Sequence, residues 1–191
     1  MKEYTLVTGG AGFIGCNYVS RCIQRGEKVV IFDNLSRPGA NRNLDWLNQI
    51  YGKGSFEVVI GDVRNAQEIK TAAKNAYRIL HLAAQVAVTT SVTDPVSDFE
   101  INAGGTFNTL EAARASGNNP GFIYASTNKV YGGMENVRVV EKETRYDYAD
   151  LPEGASEDQI LDFHSPYGCS KGCGDKYVRD YQRIYGLPTV V

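Results

Sequence analysis

A glycine-rich turn constrains the fold of this chain more than any other feature of its sequence. The apolar run at residues 4–8 leads directly into TGGAGFIG, in which Gly9, Gly12 and Gly15 are spaced G-x-x-G-x-x-G. Gly10, Gly12 and Gly15 also fit the pattern G-x-G-x-x-G. Glycines at these spacings let the backbone turn sharply between a strand and a helix and approach a pyrophosphate closely. The turn therefore predicts the first βα unit of a dinucleotide-binding sheet.

Short runs rich in β-branched residues alternate with longer mixed segments along the chain. The candidate strands are residues 4–8, 28–32, 56–60, 78–82, 121–126 and 188–191. The candidate helices are residues 13–25, 67–75, 96–116 and 166–185. Such alternation is typical of βαβ units, whose right-handed crossovers build a parallel sheet. The predicted fold class is therefore α/β, a doubly wound parallel sheet with helices on both faces, as in Rossmann-type domains.

Two parts of the chain interrupt this alternation. Residues 133–164 form an acidic insertion with nine Asp or Glu, three Lys or Arg and little periodicity. A long loop in a compact domain often has a function, although a solvated acidic loop accounts for the composition equally well. The strand-like residues 188–191 close the chain on an unfinished βα unit. We expect residues 1–191 to form one dinucleotide-binding domain, with a C-terminal substrate-binding domain absent.

Composition excludes several classes of partner. The formal net charge of −2 gives no electrostatic reason to expect nucleic acid or an anionic membrane. No apolar run approaches the roughly 20 residues that span a bilayer, and the first residues lack the pattern of a secretory signal. We therefore expect a cytoplasmic protein. Its cysteines form no CxxC pair and are predicted to be reduced packing residues rather than ligands of a metal: Cys16, Cys22, Cys169 and Cys173.

Asp33 closes the second apolar run, at the place where dinucleotide-binding domains carry an acidic residue. Its carboxylate can accept hydrogen bonds from the adenosine ribose and would repel the 2′-phosphate of NADP. Arg37 is counter-evidence, because a nearby arginine can accommodate that phosphate. On balance the sequence favours NAD over NADP.

Two further strand ends contribute candidate contacts. Asp62 follows the third run, where a carboxylate can accept from the adenine amino group or, alternatively, cap a helix. The small residues 82–85 follow the fourth run and should line the groove at the carboxyl ends of the strands, where open α/β sheets bind ligands. His81, just before them, is predicted to be a core histidine rather than a catalyst.

The segment SPYGCSK predicts a helix start, with Ser165 as N-cap and Pro166 at the first helical position. Tyr167 and Lys171 are four residues apart and therefore share one face of that helix. Tyrosine is normally a poor base at neutral pH, but a nearby ammonium and an oxidised nicotinamide both favour its phenolate. The pair is predicted to shuttle a hydroxyl proton. An amphipathic helix with an exposed lysine would show the same spacing.

With these motifs in place, the chain resembles the extended short-chain dehydrogenases/reductases, the family of nucleotide-sugar epimerases and dehydratases, over essentially all its residues. In that family a Ser or Thr three residues before a V-Y-G segment, here residues 130–132, joins the Tyr and Lys in a catalytic triad. The resemblance thus assigns Thr127, Tyr167 and Lys171 as catalytic. Thr127 directly follows the candidate strand at residues 121–126. A hydroxyl at the end of that strand can hydrogen-bond both the substrate oxygen and the tyrosine.

The resemblance also implies the cofactor NAD, a nucleotide-sugar substrate, and a homodimer or homotetramer built on the two long helices. The family's N-x-x-G-T element corresponds to Asn102, Gly105 and Thr106, with Asn102 near the active site. The residues predicted to contact NAD are Gly9, Gly12, Phe13, Ile14, Gly15, Asp33, Asn34, Ser36, Arg37, Asp62, Val63, Leu82, Ala83, Ala84, Gln85, Asn102, Ser126, Tyr167 and Lys171.

The two positions after Thr127 bear on the type of reaction. The family's dehydratases carry Asp and Glu there, whereas this chain has Asn128 and Lys129. An amide cannot donate a proton as an acid, and an ammonium is no base, which favours an epimerase over a 4,6-dehydratase. Thr127, Asn128 and Lys129 are candidate substrate contacts. A UDP-sugar 4-epimerase, a dehydrogenase that releases NADH and a non-enzymatic NAD-sensing module stay open as alternatives.

Overall fold

The computed structural model describes residues 4–191. Its strands are β1 (Tyr4–Thr8), β2 (Val29–Asp33), β3 (Glu57–Ile60), β4 (Ala76–His81), β5 (Gly121–Tyr124), β6 (Val139–Glu141), β7 (Tyr146–Tyr148) and β8 (Thr189–Val190). Its α-helices are α1 (Phe13–Gln24), α2 (Ala40–Tyr51), α3 (Ala66–Ala73), α4 (Val88–Thr93), α5 (Pro95–Phe99), α6 (Gly105–Ala115) and α7 (Ser165–Tyr185). The predicted strands and helices lie within two residues of these bounds, apart from one interruption described below.

Six strands form one sheet in the order β3-β2-β1-β4-β5-β8, and every neighbouring pair is parallel. The chain moves outward from β1 to β3 and then returns to β4 on the other side of β1. The strand order therefore reverses between β1 and β4, which opens a crevice at their carboxyl ends. The predicted doubly wound α/β fold is confirmed.

Each face of the sheet has its own hydrophobic core. In β2, Val30 and Phe32 pack on the side of α3, α6 and α7, whereas Val29 and Ile31 pack on the side of α1 and α2. Successive side chains of a strand point to opposite faces, so a strand covered on both sides is apolar throughout. These two cores fix the carboxyl ends of the strands, where the candidate site lies.

The helix predicted at 96–116 is interrupted by a wider turn. A π-helical turn, Glu100–Gly104, separates α5 from α6. It brings Gly105 against the loop that precedes α3, where a Cβ would lie 2.6 Å from the Cγ2 of Val63. The same turn buries Asn102, which is 1% exposed. Turns of this kind often occur at functional sites.

The sequence does not predict two of the helices or the hairpin. They are α2, the short α4, and the antiparallel pair β6 and β7 inside the acidic insertion. In that hairpin Asp147 accepts from Lys142 at 2.7 Å and from Arg145 at 3.1 Å. The insertion closes where the Asp162 amide donates to the Val130 carbonyl at 3.0 Å. The acidic insertion is therefore a folded segment whose two ends lie together beside α7.

The cysteines are free thiols, and they occupy different environments. Cys16 and Cys22 are buried in α1, as predicted for packing residues. Cys169 is exposed and Cys173 half-buried, so the prediction of packing was wrong for Cys169, which lies on the outer side of α7. Within residues 4–191 no helix is both long enough and apolar enough to cross a membrane.

Candidate active site

The glycine-rich turn joins β1 to α1 so tightly that side chains would not fit. Gly9 has a φ of +67°, and a Cβ there would lie 2.7 Å from the backbone nitrogen of Ala83. A Cβ on Gly15 would overlap the carbonyl oxygen of Gly9. α1 begins at Phe13 without a side-chain cap within the described chain. The free N–H groups and positive dipole end of α1 thus suit an anion at this turn.

A cleft of about 470 Å³ opens in front of this turn, along the carboxyl ends of the strands. All but two of the residues predicted to contact NAD line it, and the exceptions are Gln85 and Asn102. The cleft also holds residues that the sequence did not indicate: Phe32, Ala40, Gly61, Val86, Ile101 and Ala125. Most of these residues are direct sequence neighbours of a predicted contact. That position next to a predicted contact was the sequence signal that could have indicated them. Phe13 and Ile14 are 80% and 66% exposed at the cleft, as apolar ligand contacts would be.

Asp33 ends β2 inside the cleft. Its Oδ2 accepts from the backbone N–H of Ala11 at 3.0 Å, and its Oδ1 accepts from that of Leu35 at 2.9 Å. These bonds fix the carboxylate against the glycine-rich turn and leave further lone pairs for a ribose diol. Arg37 lines the same cleft, so the residue that could accommodate the 2′-phosphate of NADP is present as well.

Asp62 lies in the cleft and is held by Arg64. The guanidinium donates to both carboxylate oxygens, at 3.0 Å and 2.8 Å, and Asn34 Nδ2 donates to Oδ2 at 2.9 Å. The hydrogen bonds from Arg64 hold the pKa of Asp62 well below its usual range. The alternative of a helix cap was wrong, because Asn65 caps α3 by accepting from Gln67 and Glu68. Asp62 is thus an ionised acceptor with a fixed orientation.

The first turns of α7 place Tyr167 and Lys171 on the cleft wall. The Oγ of Ser165 accepts from the Gly168 backbone at 3.2 Å, so it caps the helix as predicted, although α7 itself begins at Ser165. Tyr167 is half-buried. Lys171 is 5% exposed, and burial lowers the pKa of its ammonium to about 8. The pair lies in the same cleft as the glycine-rich turn.

Lys171 is held by neutral groups. Its Nζ donates to the Ala125 carbonyl at 2.6 Å and lies 4.1 Å from the centre of the Tyr124 ring. A carbonyl oxygen and an aromatic face both favour the charged form. These contacts aim the ammonium towards the strand end that carries Ser126.

The predicted triad residue Thr127 is not part of the cleft lining. It is half-buried, and its Oγ1 accepts from the Lys129 backbone at 3.2 Å, which caps the 3-10 turn Asn128–Tyr131. Asn128 and Lys129 are exposed and also lie outside the cleft lining. The neighbouring hydroxyl, that of Ser126, does line the cleft.

His81 is a core residue, as predicted. It is 1% exposed, with Nδ1 2.8 Å from Thr8 Oγ1 and Nε2 3.1 Å from Thr106 Oγ1. Its ring stacks on Tyr124 with centroids 6.0 Å apart. Burial and the charge of Lys171 lower its pKa to about 3, so the ring is neutral at physiological pH. A neutral, fully bonded ring behind the sheet end takes no part in proton transfer.

Asn102 and Gln85, which were predicted to contact NAD, do not line the cleft and instead form a junction behind it. The Gln85 backbone donates to Asn102 Oδ1 at 2.9 Å, and Asn102 Nδ2 donates to the Gln85 carbonyl at 3.1 Å. Asn102 Nδ2 also lies 3.1 Å from Ser170 Oγ on α7. The pair fixes the loop after β4 to the helix that carries Tyr167.

The sheet order, the glycine-rich turn and the cleft together define a dinucleotide-binding domain of the doubly wound class. The family model described as GDP-mannose 4,6 dehydratase matches residues 6–191. This chain belongs to that family, the NAD-dependent epimerases and dehydratases of nucleotide sugars, so the predicted family is confirmed.

The relatives include epimerases and dehydratases. The CDP-paratose 2-epimerase of Salmonella typhi is 52% identical over 189 residues, covering 97% of this chain and 55% of that protein. The dTDP-glucose 4,6-dehydratase of Salmonella typhimurium is 35% identical, covering 97% and 52%. The crystal structure of the UDP-glucose 4-epimerase of Thermus thermophilus in complex with NAD matches with a TM-score of 0.77 and 33% identity, covering 97% and 53%. The chain spans about half the length of these relatives.

Proposed function

We propose that this chain is the NAD-binding part of a nucleotide-sugar epimerase, and that its substrate is a CDP-linked deoxyhexose, with interconversion of CDP-paratose and CDP-tyvelose. The observation that carries the reaction type is the position of Tyr167 and Lys171 in one cleft with the glycine-rich turn. The substrate rests on the 52% identity to a CDP-paratose 2-epimerase.

The residues of the cleft fit NAD. The glycine-rich turn admits a pyrophosphate at the start of α1, and the Asp33 carboxylate, fixed by two backbone N–H groups, suits a ribose diol. Asp62 is an ionised acceptor for an adenine amino group. Bound NAD would supply an acceptor for the hydride of a sugar carbon and return that hydride to the opposite face.

Residues of α7 carry out the proton transfer. Tyr167 takes the proton of the sugar hydroxyl as the carbon is oxidised and gives it back on reduction. The ammonium of Lys171, one helical turn away, places a positive charge in the same cleft as the Tyr167 hydroxyl. The Ser126 hydroxyl lines the cleft and can orient the sugar oxygen, whereas Thr127, the triad residue implied by the resemblance, lies next to it outside the cleft lining.

Elimination lacks its acid and base in this chain. The positions that carry Asp and Glu in the dehydratases are Asn128 and Lys129, and both are exposed outside the cleft lining. The Asn128 amide cannot protonate a leaving hydroxyl as an acid, and the Lys129 ammonium cannot remove a proton from the neighbouring carbon as a base. Oxidation and re-reduction at one carbon need only the Tyr/Lys pair and the cofactor, which supports epimerisation.

The outer face of α6 and α7 supports assembly through these helices. Phe107 and Tyr177 pack edge to face with centroids 5.6 Å apart, yet they are 42% and 44% exposed. Tyr185 packs similarly on Tyr181, 5.0 Å away, and is 55% exposed. An exposed aromatic strip of this kind is typical of a protein interface. We propose a dimer built on this strip.

Incubation of the intact protein with four sugars tests the proposal: CDP-paratose, CDP-tyvelose, UDP-glucose and dTDP-glucose. The expected result is interconversion of the CDP pair alone, with NAD retained by the purified protein. Turnover of UDP-glucose alone would favour a 4-epimerase, and a 4-keto-6-deoxy product would favour a dehydratase. NAD binding without turnover of any of the four sugars would favour a sensor.

A further inference from the structure

Lys171 has to carry its charge in a place that disfavours charge. The side chain is 5% exposed, and its contacts at Nζ are the Ala125 carbonyl and the Tyr124 ring. Burial of an ammonium is costly unless negative groups offset the loss of water. The proton shuttle described above needs the charged form, because only an ammonium places a positive charge in the cleft one helical turn from Tyr167.

Asp175 supplies one such negative group. It lies four residues after Lys171 on α7, and therefore on the same face, one turn further from Tyr167. Its Oδ2 accepts from the Oγ of Ser126 at 2.8 Å. Ser126 lines the cleft at the end of β5. Asp175 thus ties the face of α7 that carries Lys171 to the strand end opposite it.

Asp98 supplies a second negative group from another helix. It lies on α5 and is 0% exposed. Its carboxyl group accepts from Gln85 Nε2 and Asn102 Nδ2, each at 3.1 Å, and from Ser170 Oγ at 2.5 Å. Ser170 directly precedes Lys171, so this bond holds the first turns of α7 against α5. Burial of a carboxylate among neutral donors costs free energy of desolvation, and a nearby cation can reduce that cost.

Three other titratable groups near Lys171, His81, Tyr124 and Cys173, carry no negative charge at neutral pH. Burial and the charge of Lys171 lower the pKa of His81 to about 3, and burial raises the pKa of both Tyr124 and Cys173. Burial lowers the pKa of Lys171 itself to about 8, whereas the charges of Asp175 and Asp98 act to raise it. Among residues 4–191, His81 on β4, Asp98 on α5, Tyr124 on β5 and Asp175 on α7 interact with Lys171, and Tyr167 and Cys173 lie on the same helix.

We propose that Asp98 and Asp175 are positioning residues that flank Lys171, fix it through Ser170 and Ser126, and keep its ammonium charged beside the tyrosine. The proposal rests on the proposed function, since it describes how the same site is kept ready for proton transfer. Neither carboxylate lines the cleft. Both act through Lys171.

The expected effect is large enough to measure. With a midpoint near 8, about 90% of Lys171 is charged at pH 7. Loss of one flanking charge should lower the midpoint by about one pH unit, which leaves about half of the lysine charged. Loss of both should leave about one tenth. The charged fraction, and with it turnover at pH 7, should fall about tenfold in the double variant.

Titration of Lys171 by NMR, in the intact protein labelled with ¹⁵N-lysine, tests the proposal without relying on turnover. The Lys171→Arg variant identifies the signal by removing it. Asp98→Asn and Asp175→Asn remove the charges but keep groups of similar size. Asp180→Asn is the matched control, because it removes an exposed carboxylate further along α7. We expect a lower midpoint in both test variants and an unchanged midpoint in the control.

A variant that restores the charge distinguishes an electrostatic role of Asp175 from a structural one. Asp175→Glu keeps the charge, so the midpoint of the Lys171 titration should lie close to that of the unaltered protein. A merely structural role would leave the midpoints of all variants equal. If Asp98→Asn does not fold, the half-buried Asp175 decides the outcome alone. Equal midpoints in Asp175→Asn and Asp180→Asn would overturn the proposal. Failure to turn over any sugar, with the midpoints shifted as expected, would instead count against the proposed function.

Discussion

Acid should destabilise this fold through a single buried histidine. His81 is 1% exposed and bonded to Thr8 and Thr106. Burial, with a smaller contribution from the charge of Lys171, lowers its pKa from 6.5 to about 3. The folded state therefore favours the neutral ring, so its contribution to stability is complete above pH 6.5 and is lost as the pH falls towards 3.

The magnitude follows from the two pKa values. The unfolded chain binds a proton at His81 more readily than the folded chain throughout this range, and the free energy of unfolding should fall by about 2 kcal/mol between about pH 7.5 and pH 5. The full loss at lower pH is about 5 kcal/mol. Carboxylates with lowered pKa, such as Asp62, add their own losses only at lower pH.

Urea unfolding at about pH 7.5 and pH 5 measures the effect. His81→Gln removes the titration while its amide can still reach one of the threonine hydroxyls, so its stability should be lower at the higher pH but change less with pH. The chain has two histidines, and the exposed His164 gives a matched control: His164→Gln should keep the pH dependence of the unaltered protein. Equal pH dependence in the unaltered protein and His81→Gln would refute the reasoning.

The remaining predictions concern the cleft and the helix face. Tyr167→Phe should keep its dinucleotide but lose turnover by about 100-fold or more, and near-normal turnover would point to another base. Asp33→Ser should narrow the preference for NAD over NADP measured by calorimetry, and equal affinities in the unaltered protein would contradict the role of the carboxylate. Gly15→Val should abolish NAD binding because its side chain overlaps a carbonyl of the turn, whereas Gly121→Ala, which meets no atom within 4 Å, should bind normally. Tyr177→Glu should yield monomers in sedimentation, and an unchanged assembly would exclude the aromatic strip as the interface.

The sheet and most of the cleft could be predicted because their signals are local. Apolar runs with β-branched residues mark β1 and β2, and the glycine spacing marks the turn between β1 and α1. Once the strands are placed, the residues that follow them must meet at one edge of the sheet. Asp33 and Asp62 could therefore be assigned to the cleft without knowledge of any contact.

The helix α2 could not be predicted, because its stability comes from packing. Half of its sequence, ANRNLDWLNQIY, is polar, and the residues it buries are Ala40 and Leu47. Leu47 is 0% exposed in the core on the α1 side of the sheet. Only the folded sheet supplies that core, so the local sequence is ambiguous between helix and loop.

The details behind the cleft depend on tertiary contacts in the same way. A motif places Thr127 in the catalytic set, but the 3-10 turn that it caps decides where its hydroxyl points. Asp98 gives no signal in the sequence, because an acidic residue in a helix is usually solvated. Its burial follows from the packing of α5 on α7, where Ser170 and Asn102 supply its hydrogen bonds.

The fate of one hydrogen distinguishes hydride transfer through bound NAD from exchange with water. We propose that the sugar carbon is oxidised and reduced within one active site, with Tyr167 and Lys171 moving only the hydroxyl proton. CDP-paratose labelled with deuterium at carbon 2 would be incubated with the intact protein in ordinary water, and the product examined by mass spectrometry. We expect CDP-tyvelose that retains the deuterium. Loss of the label to water, or its appearance in free NADH, would contradict it.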